Sequence, residues 1–362
     1  MEPHDALATL VAGRTLSTEQ AEALFERLLS GGLDDAQIAG VLSLIQARGA
    51  TVPEVIGAAR VMRRHVTPTP APSVPGATLI DTCGTGGAPK TFNISTAAAI
   101  VAAAARPREG RRVLVAKHGN RSRTGRGSAE ALAALGVHVD ATPEVQSRCL
   151  AEAGVCFCFA IHHHPAMRHA VGPRRSLGFP TIFNLLGPLT NPAGARRQVI
   201  GVYEARLVPL IAEALAGLGA ERAIVAHGRD GMDELTTTAP TIVAFVSGGA
   251  VRIEELDART LALAPARLDD LRVGSVEDAA AAVRAVLGGE PGPRRDVTLL
   301  NAAAALLVAD AAVSLAEGLT LAAEAVDSGR ARETLETLAR VSGGGERRSA
   351  GQDRVDRLQH GA

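Results

Sequence analysis

The stretch Asp81 to Thr96, DTCGTGGAPKTFNIST, decides how the rest of the chain is interpreted. It follows an apolar run at 77–80, typical of a strand, and precedes an apolar run at 97–105, typical of a buried helix. Glycines in such a turn allow positive φ and let the backbone approach a bound group. With the helix N-terminus, the backbone N–H groups of the turn form a site for anions such as phosphate. The spacing matches neither the dinucleotide fingerprint nor Walker A, so a turn that binds nothing is the alternative.

The composition is that of a globular protein without a net charge. The chain has 362 residues, long enough for one large domain or two smaller ones. Hydrophobic residues make up 46% and charged residues 21%. Aromatic residues are only 2%, which predicts an aliphatic core. The formal net charge of +0 gives no general attraction for nucleic acid or anionic lipid, so any anion site must be local.

The cysteines and the N-terminus predict an intracellular protein. Cys83, Cys149, Cys156 and Cys158 include no C-x-x-C pair, which favours reduced, buried thiols. The first residues have no signal-peptide pattern. No apolar run approaches the ~20 residues of a membrane span. We therefore expect a cytoplasmic protein with no membrane or nucleic-acid partner.

The first 66 residues predict helices only. Three capping boxes mark helix starts, at Ser17 with Gln20, Asp34 with Gln37, and Thr51 with Glu54. The apolar residues that follow have helical spacing, which indicates a small bundle that could bury one face against another subunit. The next segment, TPTPAPSVPG from Thr67 to Gly76, has too many prolines for a helix or central strand and predicts a semi-rigid hinge.

From residue 77 the pattern alternates between short apolar runs and helical stretches. The predicted strands are at 77–80, 113–116, 155–161, 198–203 and 222–227, and the helices between them are at 95–105, 128–136, 143–153 and 204–218. This order predicts an α/β fold with a mostly parallel sheet and ligands beyond the carboxyl ends of its strands. Region 241–263 predicts extra, antiparallel strands, followed by helices at 276–287, at 296–309 and up to about 341.

The predicted organisation is thus a small N-terminal all-α domain and a large α/β domain. The helical domain spans 1–67, joined by helices from about 164–180. The hinge covers 68–76, the α/β domain covers 77–342, and the polar, glycine-rich tail 343–362 is predicted to be disordered.

Two loops after predicted strands carry groups for anions and metals. Lys117 and Arg121 flank His118 and Asn120 in KHGNR, which suits phosphates and a second ligand, although a solvated basic loop is the alternative. Ser128 is predicted to cap the next helix and face the same anion. In HGRDGMDE, the adjacent acids Asp233 and Glu234 suit Mg²⁺, which takes one or two carboxylates plus substrate phosphates. A solvated acidic turn is the alternative there.

Three further motifs lie between the predicted strands at 155–161 and 198–203. The run His162 to His164 predicts a loop leading to a helix rather than a zinc site, because adjacent residues on an extended chain point apart. Arg174, beside Arg175, is either part of a solvated basic pair or the guanidinium for a substrate carboxylate. Segment 183–192, FNLLGPLTNP, is uncharged and predicts a structural loop under the active site.

Taken together, these stretches resemble the anthranilate phosphoribosyltransferase family. The motifs are DTCGTGG, TFNIST, VAKHGNRS, GSAEALAALGV, HPAM, TIFNLLGPLTNPAGARRQ and HGRDGMDEL, and their order and spacing match from about 24 to 341. The resemblance implies a tryptophan-pathway enzyme that joins anthranilate to phosphoribosyl pyrophosphate with Mg²⁺ as cofactor. It also implies a homodimer formed through the helical domain. A pyrimidine nucleoside phosphorylase and a nucleic-acid-binding relative without catalysis are the alternative functions.

The resemblance assigns roles to matching positions. Those implied for phosphoribosyl pyrophosphate are Gly84, Gly87, Ala88, Thr91, Asn93, Ile94, Ser95, Thr96, Lys117 and Ser128. Those implied for anthranilate are Gly84, His118, Asn120 and Arg174. Those implied for Mg²⁺ are Ser95, Asp233 and Glu234, with Lys117 and His118 as the catalytic residues. The amine is neutral at pH 7, so no strong general base is required.

The chain departs from the family pattern at three places. Ala88 replaces an acidic residue in the glycine turn, which is one residue shorter, and Lys90 could supply a phosphate contact instead. The spacer between Ser122 and Gly127 is also one residue shorter. The connection Arg106 to Arg112 is long and basic and predicts a solvated loop.

Overall fold

The computed structural model describes residues 2–87, 89, 91–107, 110–122 and 125–343. Ala88, Lys90, part of the Arg106–Arg112 connection and the predicted disordered tail beyond 343 lie outside these residues.

The N-terminal region consists of four helices, and the last three begin at the predicted capping boxes. They are α1 Pro3–Val11, α2 Thr18–Leu29, α3 Asp35–Arg48 and α4 Val52–Arg64. At the start of α2, Gln20 N donates to Ser17 Oγ (3.2 Å) and Ser17 N donates to Gln20 Oε1 (2.9 Å). These reciprocal bonds satisfy amides that a helix start leaves unpaired, which is why the local sequence predicts the boundary.

The α/β region is built on a seven-stranded sheet. Its strands are β1 Ala77–Gly84, β2 Arg112–Gly119, β3 Val155–Phe159, β4 Arg197–Gly201, β5 Arg222–Gly228, β6 Thr241–Ser247 and β7 Ala250–Leu256. The strand order is β3-β2-β1-β4-β5-β6-β7, with β1 to β5 parallel and the last two strands antiparallel. The predicted fold class, including the antiparallel end, is confirmed.

The remaining helices cover both faces of the sheet. They are α5 Ile94–Ala104, α6 Ser128–Ala134, α7 Pro143–Ala153, α8 Ala160–His163, α9 Arg168–Leu177, α10 Ile182–Leu186, α11 Leu207–Gly217, α12 Leu268–Leu271, α13 Val276–Leu287, α14 Pro293–Val308, α15 Leu315–Asp327 and α16 Arg330–Ser342. None of the described helices is both long enough and apolar enough to cross a bilayer.

Two hydrophobic cores lie on opposite faces of the sheet. On one face, α5 is buried on almost all sides between the sheet and α14, which explains its uninterrupted apolar sequence. On the other face, α11 packs against α4, so the second core runs from the sheet into the N-terminal helices. Helix α9 packs against α2 and α3 and so lies with the N-terminal helices as well.

The proline-rich segment is tied down although it forms no helix or strand. Thr67 N donates to the carbonyl oxygen of His163 (2.8 Å), and His163 Nδ1 lies 2.7 Å from Thr67 O. Thr69 Oγ1 donates to Gln146 Oε1 (2.6 Å). These contacts fix the start of the segment against α8 and α7.

The structure corrects two local predictions. The run 155–161 is not all strand, because β3 ends at Phe159 and the chain turns into α8, where His163 meets Thr67. The segment 183–192 is not simply a loop, because it contains most of α10 and a 3-10 turn at Gly187–Leu189. Thr181 N donates to Asn184 Oδ1 (3.0 Å), a capping bond that starts this short helix.

Candidate active site

The site lies at the point where the strand order reverses. The chain leaves β1 toward β2 and β3 on one side and places β4 and β5 on the other. Loops diverge at such a point and leave a crevice beyond the carboxyl ends of the strands. Gly84 and Gly201 end β1 and β4 there and are partners in the ladder.

Both of these glycines make room for the acidic loop. A Cβ on Gly84 would lie 3.0 Å from Asp233 Oδ2, and a Cβ on Gly201 would collide with the carbonyl oxygen of Asp233. Asp233 therefore lies directly on the ends of the two strands. The glycine turn and the acidic pair, predicted from distant parts of the sequence, face one cleft.

The glycine turn also rests on the acidic loop further along. A Cβ on Gly231 would lie 3.7 Å from Pro89 Cγ. The end of the turn is held on its other side, where Thr91 forms an isolated antiparallel bridge with Arg272. Of the predicted phosphate residues in this turn, Gly84, Gly87 and Thr91 are described, and Ala88 lies outside the described residues.

Lys117 connects β2 to this cleft. Its Nζ donates to Thr82 O (2.6 Å) and to Ser95 Oγ (3.1 Å), and only 3% of the residue is exposed. Burial lowers the pKa of Lys117, while the negative charge of Asp81 acts in the opposite direction. The ammonium is thus held at the N-terminus of α5, next to predicted phosphate ligands.

Glu234 meets the same helix end. Its Oε1 accepts a hydrogen bond from Ser95 N (3.2 Å), where the helix dipole favours a negative charge. Burial, followed by the charge of Asp233, nevertheless raises the pKa of Glu234 to about 8, whereas Lys117 acts to lower it. Ser95 therefore joins Lys117 on one side to the acidic pair on the other.

The donor set fits Mg²⁺. Asp233 and Glu234 supply carboxylate oxygens and Ser95 a hydroxyl, which are the hard oxygen ligands that Mg²⁺ takes while keeping several waters. The residues that the structure describes contain no group of three or more His, Cys, Asp or Glu side chains that could hold a metal. A cation here would need oxygens from a substrate as well.

The first turn of α5 carries polar atoms that point to a ligand. Asn93 Oδ1 and Thr96 Oγ1 are buried and have no hydrogen-bond partner among the described residues, which is rare for buried polar atoms. Asn93 Nδ2 donates to the carbonyl oxygen of Arg126 (3.5 Å), which links α5 to the loop before α6. Ile94 differs, because its side chain is in the core and its N–H donates to Phe92 O (2.8 Å).

The loop between β2 and α6 corrects one prediction. Gly127, not Ser128, is the N-cap of α6, and Ser128 is its first helical residue. The cap has extended φ and ψ and no side chain, and Gly127 N donates to Glu130 Oε2 (3.0 Å) instead. Ser128 Oγ donates to Asn120 O (3.4 Å), so the structure still brings these two predicted site residues together.

His118 forms a pair that the sequence did not predict. Its Nε2 lies 3.2 Å from Nε2 of His164, and its Nδ1 lies 3.0 Å from the carbonyl oxygen of Gly187. A carbonyl accepts only, so Nδ1 of His118 carries the proton and its Nε2 accepts from His164. Burial, then the neighbouring His164, lowers the pKa of His118 to about 3, and burial lowers that of His164 to about 4. Both rings are neutral at pH 7.

The other two histidines of the run serve different partners. His162 Nε2 lies 2.7 Å from Asp140 Oδ1, and His163 binds Thr67. His162 and His163 belong to α8 rather than to the predicted loop. The three side chains therefore have three different partners, since His164 pairs with His118.

Arg174 approaches the site through α10. Its guanidinium lies 5.3 Å from the ring centroid of Phe183, and burial lowers its pKa from the ordinary value. Phe183 lies near the start of α10, and Gly187, which binds His118, follows the end of that helix. Helix α10 therefore contacts Arg174 near its start and is followed by the residue that binds His118, and both of these were predicted to contact anthranilate.

Asn120 lies in the loop that follows β2. It is exposed, and its Oδ1 accepts a hydrogen bond from Arg121 N (2.8 Å). The carbonyl side of this amide therefore shapes its own loop. The position of the loop over β2 and α6 keeps Asn120 beside Ser128.

Asp81 is the buried residue that sequence reasoning passed over. Its Oδ1 accepts a hydrogen bond from His118 N (3.0 Å), and burial raises the pKa of this carboxyl group. It lies in the quoted stretch, but within a strand, where a lone acid has no predicted partner. Only the parallel pairing of β1 with β2 places it beside Lys117 and His118.

Comparisons with known proteins agree with this geometry. A sequence profile described as "Glycosyl transferase family, a/b domain" matches residues 76–332, and one described as "Glycosyl transferase family, helical bundle domain" matches residues 4–66. The anthranilate phosphoribosyltransferase of Rubrobacter xylanophilus is 49% identical, with 96% of this chain and 98% of the relative covered. That of Caulobacter vibrioides is 51% identical over 92% of this chain and 95% of the relative.

Solved structures show the same architecture. The crystal structure of anthranilate phosphoribosyltransferase from Thermus thermophilus has a TM-score of 0.85 at 40% identity and covers 93% of this chain and 99% of its own. The Saccharomyces cerevisiae enzyme, in complex with PRPP and Mg, has a TM-score of 0.82 at 24% identity and covers 94% of this chain and 98% of its own. The second likeness concerns the fold alone.

Proposed function

We propose, on the premise that this chain belongs to the anthranilate phosphoribosyltransferase family, that its central cleft joins anthranilate to 5-phosphoribosyl 1-pyrophosphate. The products are N-(5-phosphoribosyl)anthranilate and pyrophosphate, in tryptophan biosynthesis. The enzyme is a glycosyltransferase. Family membership favours this reaction over the nucleoside phosphorylase and nucleic-acid-binding alternatives.

The observation that carries the proposal is the convergence on Ser95. Lys117 and Glu234, from two different strand ends, both bond to this residue at the N-terminus of α5. The arrangement sets a positive group and an acidic pair on either side of a helix end that favours anions. A metal-bound diphosphate needs both kinds of group within one cleft.

The phosphoribosyl pyrophosphate ligands are proposed to come from three segments. The glycine turn supplies Gly84, Gly87, Ala88 and Thr91, and α5 supplies Asn93, Ile94, Ser95 and Thr96. Lys117 and Ser128 complete the set. The unpartnered buried atoms of Asn93 and Thr96 support it, because a sugar or phosphate would satisfy them. Ile94 can contribute only by shaping the first turn of α5, since its side chain is in the core and its N–H donates to Phe92 O.

Asp233, Glu234 and Ser95 are proposed to hold Mg²⁺. Bound there, the cation would neutralise charge on the diphosphate oxygens. Asp233 Oδ2 lies 3.0 Å from the place of a Cβ on Gly84, so the acidic pair would hold the cation at the start of the glycine turn. Ser95 then presents its hydroxyl from the helix side.

Catalysis is proposed to depend on the leaving diphosphate and on orientation of the amine. The bond to pyrophosphate loosens first, and Lys117 stabilises the charge that develops on the leaving oxygens. An ammonium has three donors, one more than the two bonds Lys117 makes to Thr82 and Ser95. Its burial strengthens this electrostatic effect.

The anthranilate residues are proposed to be Gly84, His118, Asn120 and Arg174. Arg174 binds the carboxylate, and Asn120 with His118 orients the amine in line with the anomeric carbon. A His118 whose pKa is about 3 is a weak base, which suits an aromatic amine that is already neutral. Since its Nδ1 binds Gly187 and its Nε2 binds His164, we assign the ring of His118 the role of shaping the anthranilate pocket rather than that of a strong general base.

The proposal also covers the domain division, the homodimer and the cellular location. We propose a helical domain at 1–67 joined by the helices at about 164–180, a hinge at 68–76 and an α/β domain at 77–342. A homodimer through the helical domain is supported by exposed apolar residues on α1 and α9, Val11 and Val171. A cytoplasmic location is expected for a biosynthetic enzyme of this family.

The test is the loss of anthranilate fluorescence when phosphoribosyl pyrophosphate and Mg²⁺ are added to the purified protein. We expect turnover that requires anthranilate, phosphoribosyl pyrophosphate and Mg²⁺ together. The variant Asp233→Asn with Glu234→Gln should lower turnover and weaken the response to Mg²⁺, whereas the exposed control Glu290→Gln should behave like the wild type. A wild-type protein that leaves the fluorescence unchanged would contradict the proposed reaction. An unaltered Mg²⁺ titration in the double variant would remove the two acids as ligands.

A further inference from the structure

Tyr203 is tied to the start of the glycine turn through the backbone. It follows β4, and its N–H donates to Thr85 Oγ1 (3.2 Å). Thr85 N in turn donates to the carbonyl oxygen of Gly201 at the end of β4 (2.9 Å). The segment that carries Tyr203 and the first residue of the turn therefore hold each other in place.

The ring of Tyr203 lies against the turn itself. A Cβ on Gly87 would be 3.4 Å from both Cβ and Cγ of Tyr203 and 3.6 Å from Cδ1. Gly87 has φ +103°, a conformation that favours glycine, so its backbone can rest against the ring without a side chain between them. The ring thus limits where this part of the phosphate site can lie.

Tyr203 also lines a cavity between the helical and α/β regions. The cavity has a volume of about 130 Å³, and its other lining residues include Ala50 after α3, Leu185 of α10 and Leu210 of α11. Tyr203 is half-buried and packs on the core that runs into the N-terminal helices. Helix α10 is the element whose end binds His118 through Gly187. The ring consequently lies between the glycine turn and the elements next to the second substrate.

We propose that Tyr203 is a positioning residue for the phosphoribosyl pyrophosphate site, acting through Gly87. The ring holds the backbone of Gly87 at the distance from Gly84 and Ser95 that a diphosphate needs, and it makes no contact with the substrate. This inference rests on the proposed function. In this inference the aromatic ring of Tyr203 packs against Gly87, and the hydroxyl group of Tyr203 has no role.

The kinetic test compares Tyr203→Ala and Tyr203→Phe. We expect Tyr203→Ala to raise KM for phosphoribosyl pyrophosphate about tenfold and KM for anthranilate less than about threefold, because lost positioning acts on one ligand. Tyr203→Phe keeps the ring and should stay within about twofold of wild type for both, since the atoms that lie against Gly87 are Cβ, Cγ and Cδ1 and not the hydroxyl. The control Phe245→Ala removes a partly buried aromatic ring from β6, away from the cleft, and should leave both KM values unchanged.

A second measurement uses the wild-type protein and does not depend on a variant folding. The chain contains one tyrosine and no tryptophan, so emission excited at wavelengths longer than phenylalanine absorbs comes from Tyr203 alone. Phosphoribosyl pyrophosphate with Mg²⁺, in the absence of anthranilate, should change this emission with a midpoint near KM. Inorganic phosphate at the same concentration should not reproduce the change at that midpoint.

The outcomes separate this inference from the proposed function. If the wild type turns over but its emission does not change with phosphoribosyl pyrophosphate, only the role of Tyr203 is overturned. The same holds if a folded Tyr203→Ala variant shows equal increases in KM for the two substrates. A wild-type protein without turnover would overturn the proposed function and this inference with it.

Discussion

At the scale of single residues, the cleft depends on groups whose partners come from other strands. Ser95 bonds to both Lys117 and Glu234, and His118 bonds to His164 and Gly187. Each side chain is therefore oriented before a substrate arrives. Orientation of this kind is what a reaction without a strong general base requires.

Arg174 and Arg175 provide a matched pair for testing substrate recognition. We expect Arg174→Ala to raise KM for anthranilate by about tenfold or more and to change KM for phosphoribosyl pyrophosphate little, because one charged hydrogen-bonded pair is lost. Arg175 is exposed on the same helix, so Arg175→Ala should have no comparable effect. Steady-state kinetics with each substrate varied in turn checks this. Equal increases for both substrates in Arg174→Ala would point to a structural role.

The histidine pair predicts a pH dependence of stability. The pKa of His164 is lowered from 6.5 to about 4 in the folded protein. Below pH 6.5, His164 therefore binds a proton in the unfolded chain but stays neutral in the folded protein. The free energy of unfolding should therefore fall with decreasing pH in wild type relative to His164→Gln, by about 1.4 kcal/mol per pH unit well below 6.5. Asp81 and Glu234, whose pKa values are raised, act in the opposite direction in both proteins, and His118, whose pKa is lowered to about 3 chiefly by burial, acts in the same direction in both, so their contributions largely cancel in the difference.

Denaturant unfolding at pH 7, 6 and 5 measures this difference. His162→Gln is the control, because His162 is exposed and bonds to Asp140 on the surface. It should follow the wild-type curve. Parallel curves for wild type and His164→Gln would show that His164 is not buried as a neutral ring.

At the scale of elements, the site is made by strand ends that lack side chains. Gly201 ends β4 where the carbonyl oxygen of Asp233 occupies the space of a Cβ. We expect Gly201→Ala to displace the acidic loop, to lower turnover at least about tenfold and to raise the Mg²⁺ concentration required, since small misplacements are costly. The loop and strand cannot both keep their positions.

The control for this variant is Gly172→Ala. Gly172 lies in α9, where a Cβ would contact Asp35 at 3.5 Å, an ordinary van der Waals distance. Turnover and Mg²⁺ response should remain near wild type, and thermal unfolding reports any loss of stability in either variant. Normal activity in Gly201→Ala would show that the acidic loop can shift without consequence.

Element prediction succeeded where the signal was local. Capping boxes fixed the start of α2 and α3 because both partners lie within four residues. It was wrong after β3, where an apolar run continues into α8, because the turn is decided by contact of His163 with distant Thr67. The N-cap at Gly127 differs, because its partner is local: a glycine has no capping side chain, and Gly127 N donates to Glu130 Oε2 instead.

At the scale of the whole molecule, α1 and α9 both pack against α3 and leave apolar residues exposed. Val11 is 71% exposed on α1 and Val171 is 44% exposed on α9. If the proposed homodimer forms through these helices, Val11→Asp with Val171→Asp should convert dimers into monomers, because a buried charge without a partner is unfavourable. Light scattering after gel filtration measures the mass.

The control for the dimer is Val313→Asp. Val313 is 91% exposed and precedes α15, away from the N-terminal helices. Its mass in solution should match that of the wild type. A double variant that stays dimeric would place the interface elsewhere.

The sequence by itself determined the fold class, the order of strands and helices, and which loops carry chemistry. These follow from local signals, namely apolar periodicity, capping residues and glycine turns, whose physical causes act within a few residues. The tertiary structure alone decided which of these loops meet. The pairing of β1 with β2 and β4 brings Asp81, Lys117 and Asp233 to one crevice, and packing of α8 brings His164 to His118. Such contacts depend on sheet order and helix packing, which no short stretch of sequence encodes.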